Sequence, residues 1–340
     1  MILFFLIKFY KLLFFSTLTL GTLMAISSFS WFSMWMGLEI NLLSIIPLMN
    51  SKINIYPSEA SIKYFITQTI ASSLILMSII FNLNILEFIP QNFSMFLMIM
   101  MNSGFFMKMG AAPFHFWFPE VMEGLNWNLC LIMLTWQKIA PMILLMNNLK
   151  LNLFIILIII YSSLIGGTQG LNQISLRKIL AYSSINHISW MLASMLFSQF
   201  TWLIYFTTYA LITMNMILLL SKLNIFYLKQ LLNSMNQKKS IKIFFSLNFL
   251  SLGGLPPFLG FLPKWLTINF LIENNLYILA AILIISTLLT LFFYLRIASN
   301  SLMILSSENL SKKIKINPMI LILNSVVLMG LLLSNFLISA

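Results

Sequence analysis

The sequence predicts an all-α polytopic membrane protein with about eleven transmembrane helices, built as inverted repeats with two discontinuous helices. Three observations carry this expectation. Of the 340 residues, 60% are hydrophobic and 8% are charged, whereas about a quarter of a soluble globule is charged. The apolar residues fall in repeated runs of helical length rather than in the short alternating segments of a membrane β-barrel. Finally, the template Gly254-x-x-Pro257-Phe258-x-x-x-x-Pro263-Lys264 recurs 144 residues upstream as Gly110-x-x-Pro113-Phe114-x-x-x-x-Pro119-Glu120. Glycine and proline at this density interrupt an α-helix, because proline lacks the N–H and its ring clashes with the preceding turn. Interrupted helices at matching places in two halves mark repeat-built transport folds, with the site at the breaks.

A span needs about 20 apolar residues, and that rule places the helices in order. The first, near 2–22, carries Lys8 and Lys11 and lacks a polar leader with a small-residue cleavage site, so it reads as a retained helix rather than a removable signal. The second covers 26–48. The third, 60–83, follows Ser58-Glu59, a helix-start pair, with Lys63 as a boundary residue. The fourth, 93–112, runs into the first Gly/Pro cluster, and the fifth is placed at 127–148. Spans at 150–168, 174–197 and 200–222 precede the broken one at 241–272, which is followed by 275–299 and 317–338. The whole chain, 1–340, is then one transmembrane domain: a first repeat over 1–148, a second over 150–299 and a C-terminal helix at 317–338. No linker is long enough for a second domain.

The balance of charge is basic, 19 Lys and Arg against 7 acids, all Glu, for a net charge of +12. In a membrane protein such an excess sets topology. Lys8, Lys11, Lys52, Arg177, Lys178, Lys229, Lys238, Lys239, Lys242, Lys312, Lys313 and Lys315 sort to one face, and the other has little beyond Lys150, Glu87 and Glu273. The N-terminus is therefore expected on the cytoplasmic or matrix side and the C-terminus on the opposite side. No basic stretch has the length or aromatic interleaving of a nucleic-acid groove. With one cysteine, Cys130, and two histidines, the chain offers no iron–sulfur ligation and no intramolecular disulfide. Its 31 Phe, its 24 Met and the absence of Asp fit a very AT-rich genome, of which an organelle genome is one source.

Charges inside spans cost about 2.5–3.5 kcal/mol on insertion scales, and they are functional by default. Four stand out: Glu39 in the second span, Lys108 at the first break, Lys138 in the fifth span and Lys264 at the second break. One acid and three lysines in separate helices suit a chain of proton-carrying sites. Desolvation disfavours a lysine's charged form and a nearby carboxylate restores it, so moving a Glu relative to a Lys loads or unloads a proton. Each residue also has a plainer reading: a structural Glu39–Lys108 ion pair, a snorkelling Lys138, and an interfacial anchor in Lys264 beside Trp265. His115 and His187 are secondary candidates, as relays near neutral pH or as packed, hydrogen-bonded histidines. Glu120 and Glu123, after the first break, read as solvated charges.

Six stretches, Met36–Asn41, Gly110–Trp117, Thr135–Pro141, Gly170–Gln173, Leu176–Ser184 and Leu252–Trp265, resemble the NADH-ubiquinone oxidoreductase chain 2 family, in its mitochondrially encoded, insect-like form. The resemblance runs from about residue 31 to 296 and leaves 223–242 and 300–316 without motif. It implies an antiporter-like, proton-translocating subunit of the membrane arm of respiratory complex I, in the mitochondrial inner membrane, beside other antiporter-like subunits. It also implies that Glu39 and Lys108 form an input pair, that Lys138 and Lys264 continue a polar axis, and that the helix of His187 contributes to it. NADH, FMN, iron–sulfur clusters and ubiquinone are expected on other subunits, and none on this chain. The residues alone also suit a stand-alone cation/proton antiporter, or a structural spacer whose charges are only ion pairs.

Overall fold

The computed structural model describes residues 2–50, 55–84, 91–149, 153–235 and 239–303, together with Asn324, Ser325, Leu328 and Gly330. Among them every regular element is an α-helix, and the only strand-like feature is an isolated bridge between Ser175 and Tyr227. The chain divides into two compact units, Met1–Lys150 and Leu151–Ala340.

The first unit contains α1 (Ile2–Ser27), α2 (Trp31–Met49), α3 (Tyr56–Asn84), α4 (Gln91–Met109), α5 (Trp117–Gly124), α6 (Trp127–Leu134) and α7 (Trp136–Asn147). Ser30 starts α2 by accepting the Ser33 N–H on its hydroxyl, the usual remedy for an orphan donor at a helix N-terminus. Helices α1 and α2 pack through glycine: a Cβ on Gly37 would lie 2.6 Å from the Ala25 nitrogen and 2.9 Å from the Gly21 oxygen. Small residues at such a crossing let two backbones approach where hydrocarbon gives helices no hydrophobic reason to associate. Helix α3 packs on α2, α4 and α5, while α7 packs on α1, α4 and α6.

The second unit contains α8 (Leu153–Gly170), α9 (Leu176–Met195), α10 (Gln199–Leu223), α11 (Leu228–Met235), α12 (Lys239–Gly253), α13 (Phe261–Glu273) and α14 (Tyr277–Met303). Helix α9 is the centre: it packs on α8, α10, α13 and α14, and seventeen of its positions are buried. Large apolar side chains point outward instead from α1 (Phe9, Leu12, Leu20, Leu23) and α14 (Ile278, Ile285, Leu288, Phe292). That inversion of polarity suits a lipid surround.

Seven helical segments among the described residues are long and apolar enough to cross a membrane: Phe9–Ser27, Trp31–Met49, Tyr56–Asn82, Trp127–Asn147, Leu153–Gly170, Gln199–Leu223 and Tyr277–Leu302. The expected span at 93–112 corresponds to a shorter apolar helix, α4, and the one at 241–272 to a shorter apolar helix, α12, followed by α13. The expected span at 174–197 is α9, whose Arg177, Lys178, serines, Asn186 and His187 lower its hydropathy. The span at 317–338 lies outside the described residues apart from four positions. Lys52, Lys150, Lys238, Lys312, Lys313, Lys315 and Glu87 also lie outside them. One boundary differs inside a span: residues 127–148 divide into α6 and α7 at Thr135, with φ −115 and ψ −70. The Thr135 hydroxyl donates to Leu131 O at 2.7 Å, the i−4 back-bonding that bends helices.

The α1–α2 crossing leads to a first prediction. Gly37→Leu forces the two backbones apart and costs about 1–3 kcal/mol, read as a lower steady-state amount of folded chain in native membranes. An unchanged amount would mean that the crossing is not tight.

Candidate functional site

Each unit places buried cations where a helix ends or bends. In the first unit Lys108 sits in the last turn of α4 and is 7% exposed. Gly110, at φ +75, ends that helix. Its N–H donates to Met107 O at 3.2 Å and the Ala111 N–H donates to Phe106 O at 3.0 Å, the paired bonds of a Schellman motif. Trp117 adds an indole N–H to Met107 O at 3.1 Å. The negative end of the α4 dipole thus lies beside the lysine, which favours a cation there.

Neutral polar side chains surround Lys108. Tyr64 from α3 donates its hydroxyl to Gln137 Oε1 at 3.4 Å, and Gln137 Nε2 donates to Asn41 Oδ1 at 2.8 Å. These groups, with Gln68 and Lys108, line a cavity of about 10 Å³, roughly the room of one water. Glu39, two residues before Asn41, is part-buried, and its Oε1 has no hydrogen-bond partner among the described residues. No ion pair joins Glu39 and Lys108 among the described residues. The structural ion pair is therefore not formed in this arrangement.

Lys138 is 1% exposed, on the first turn of α7 just past the Thr135 bend. Its ammonium lies 5.5 Å from the centroid of the Phe118 ring, within cation–π range. The ammonium is thus covered by an aromatic face and does not snorkel to a surface. His115 is 1% exposed in the loop between α4 and α5, with Nδ1 3.3 Å from Pro113 O. Glu120, expected in a solvated loop, lies on α5; it is exposed and accepts from Lys63 at 2.9 Å, while Glu59 lies 3.0 Å from the same ammonium.

In the second unit α12 ends at Gly253, and Gly254 takes φ +76. The Gly254 N–H donates to Ser251 O at 3.0 Å and the Leu255 N–H to Leu250 O at 3.4 Å, the same Schellman pair as at Gly110. Lys264, 6% exposed on the first turn of α13, donates from Nζ to Gly253 O at 2.9 Å and stands 5.8 Å from the Trp190 ring centroid. Its neighbour Trp265 is the half-exposed residue, so Lys264 itself points inward and not to an interface. His187 on α9 is 6% exposed; its Nδ1 lies 3.0 Å from the Tyr205 hydroxyl and its ring 5.0 Å from that of Tyr209. A cavity of about 10 Å³ joins His187, Tyr205, Thr208 and Tyr209 to Ser251 and Pro263, next to the α12–α13 gap.

The charged candidates thus separate into Glu39, Lys108 and Lys138 in one unit and His187 and Lys264 in the other, with His115 in the first break. Reasoning from charges alone missed the neutral groups that line the two cavities: Asn41, Tyr64, Gln68 and Gln137 at Lys108, and Tyr205 and Ser251 at His187. It also missed a fully buried cluster in which Asn215 and Asn248 each donate to Asn324 Oδ1, at 2.8 and 2.7 Å. The available signal was neutral polarity inside apolar runs, and Asn41 and Gln137 stand in motifs already singled out.

Residues 28–290 match the family described as NADH:quinone oxidoreductase/Mrp antiporter, TM. The chain is 49% identical to NADH-ubiquinone oxidoreductase chain 2 of Anopheles gambiae, over 86% of this chain and 86% of that one. It is 44% identical to the same chain of Locusta migratoria, over 96% and 97%. Among solved structures it is similar to a chain of respiratory complex I from Thermus thermophilus, with a TM-score of 0.87 at 22% identity, covering 98% of this chain and 80% of that one. A chain of the Mrp complex from Dietzia sp. DQ12-45-1b gives a TM-score of 0.73 at 16% identity, covering 84% and 59%. At these identities the two structures speak for the fold.

The bonding around Lys108 yields a second prediction. Gln137→Leu leaves the Tyr64 hydroxyl without its acceptor and Asn41 Oδ1 without its donor, at a cost of about 1–3 kcal/mol per buried group. A lower thermal midpoint for the chain in solubilised native membranes is expected, and an unchanged midpoint would remove Gln137 from the network.

Proposed function

The chain belongs to the NADH:quinone oxidoreductase/Mrp antiporter family, and from that premise we propose that it is a core membrane-arm subunit of NADH:ubiquinone oxidoreductase, respiratory complex I, moving protons across the mitochondrial inner membrane. The observation that carries the reading is a pair of buried lysines, Lys108 and Lys264, each at a helix end with left-handed glycine and neither bonded to a carboxylate among the described residues. A buried cation without a paired anion is costly to keep as mere structure, by several kcal/mol on desolvation alone. A site that alternates between ammonium and neutral amine avoids keeping the charge there permanently. The amine lone pair accepts a proton, the ammonium gives it up, and no bond to carbon changes.

In this account Glu39 sets the charge state of Lys108 through space, while Asn41, Tyr64 and Gln137 line the small polar cavity beside Lys108. Lys138 follows on the bent α6–α7 segment, and His187 and Lys264 serve the second unit, with His115 in a supporting place. The α4–α5 and α12–α13 interruptions act as discontinuous membrane helices of two inverted repeats, within a chain of about eleven spans. The N-terminus faces the matrix and the C-terminus the intermembrane space. NADH, FMN, iron–sulfur clusters and ubiquinone belong to other subunits, which supply the energy. The partners are those subunits, including neighbouring antiporter-like ones, and lipid.

Gentle solubilisation of the inner membrane, a native gel stained for NADH oxidation and mass spectrometry test the assignment. The chain is expected only in the large NADH-oxidising band; recovery as a small free species would favour a stand-alone antiporter. In the assembled complex, Lys138→Met is expected to slow proton pumping about tenfold or more, about 1.4 kcal/mol or more on the barrier. NADH oxidation by a water-soluble artificial acceptor should be unchanged. Normal pumping in the variant would make Lys138 a structural residue.

A further inference from the structure

Gly110 and Gly254 share a left-handed backbone, at φ +75 and +76, and the same Schellman bonds, yet their bare faces are filled differently. A Cβ on Gly110 would meet Phe118 at its Cβ, 3.1 Å away, an atom fixed to the backbone. A Cβ on Gly254 would meet the Lys264 side chain, 2.8 Å from Cδ, 3.0 Å from Nζ and 3.1 Å from Cε. The lysine stem therefore lies across the α-carbon of Gly254 on its way to Gly253 O, where the ammonium donates at 2.9 Å.

We propose that Gly254 is a positioning residue for Lys264: the missing side chain leaves the channel through which the lysine reaches the last carbonyl of α12. The left-handed turn explains why glycine is favoured at this position, but not why a lysine lies against it. The relief from a clash here is also particular. The far end of a lysine is flexible, so an added Cβ is accommodated by swinging the stem away, at small cost to folding, with the ammonium taken off its carbonyl. At Gly110 no such relief exists, because the opposing atom is the root of Phe118. The two glycines thus have the same conformation and different consequences when replaced.

This inference rests on the proton-carrying reading of Lys264, and the test separates the two. Asparagine tolerates the left-handed region better than other residues with a Cβ, so Gly254→Asn adds the obstruction with the least backbone strain. In the intact complex, Gly254→Asn is expected to lower the proton-pumping rate per assembled enzyme about 10- to 100-fold, the scale of a misplacement of about 1 Å. That rate should match Lys264→Ala, the double variant should be no slower than Lys264→Ala alone, and NADH oxidation by an artificial acceptor should be unaffected. A wild-type rate in Gly254→Asn, or losses that multiply in the double variant, overturns the positioning role. A wild-type rate in Lys264→Ala overturns the proton-carrying reading beneath it. If Gly254→Asn fails to assemble and Lys264→Ala restores assembly, the Cβ has met the lysine stem as proposed. If the double variant also fails to assemble, the glycine serves only the turn and the proposal falls.

Discussion

The bond from Lys264 Nζ to Gly253 O, 2.9 Å long and buried, joins two groups that hydrocarbon treats as liabilities. A buried helix end leaves carbonyls without donors, and a buried lysine leaves an ammonium without water. Placed together, each satisfies part of the other's need, and the carbonyl end of the α12 dipole adds its own attraction. A backbone carbonyl differs from a carboxylate in one respect that matters for transport. It supports a cation without carrying a full charge, so losing the proton leaves no stranded anion behind.

The same logic appears in varied form around the other lysines. Lys108 lies beside the C-terminus of α4, but the carbonyl of Met107 is already taken by the Gly110 N–H and the Trp117 indole. Its surroundings are therefore a small cavity edged by amides and a phenol. Lys138 lies under the face of Phe118, past a bend that the Thr135 hydroxyl makes. The carbonyl at Lys264, the aromatic face at Lys138 and the amides that edge the cavity at Lys108 all lack the full negative charge of a carboxylate. Under the proposed function, groups without a full charge suit a site that takes a proton and releases it.

Much of this was legible in the sequence, for reasons that are local. The Gly/Pro clusters at 110–119 and 254–263 fall where α4 and α12 end, because glycine's left-handed backbone and proline's missing donor act within a few residues. The buried charges stood out because hydrocarbon penalises them wherever they face. The Thr135 bend was not legible, since threonine with the same i−4 bond occurs in the unbroken α8 and α10, and only the backbone at φ −115 and ψ −70 shows the departure. Nor were Gln137, Tyr64 and Tyr205, whose roles depend on which face of one helix meets which face of another. The plainer alternative of a structural Glu39–Lys108 ion pair depends on the same facing: the sequence supplies both charges, and the structure leaves Glu39 Oε1 unbonded among the described residues.

The central claim is that buried lysines change protonation during turnover, and infrared difference spectroscopy tests it most directly. Complex with nitrogen-15 in its lysine side chains, compared with unlabelled complex during NADH oxidation, should show ammonium bands that shift with the label. Those bands should weaken when Lys108, Lys138 and Lys264 are replaced by methionine. A turnover spectrum with no label-sensitive change, or one that the three replacements leave intact, would contradict the account and reduce these lysines to parts of the scaffold.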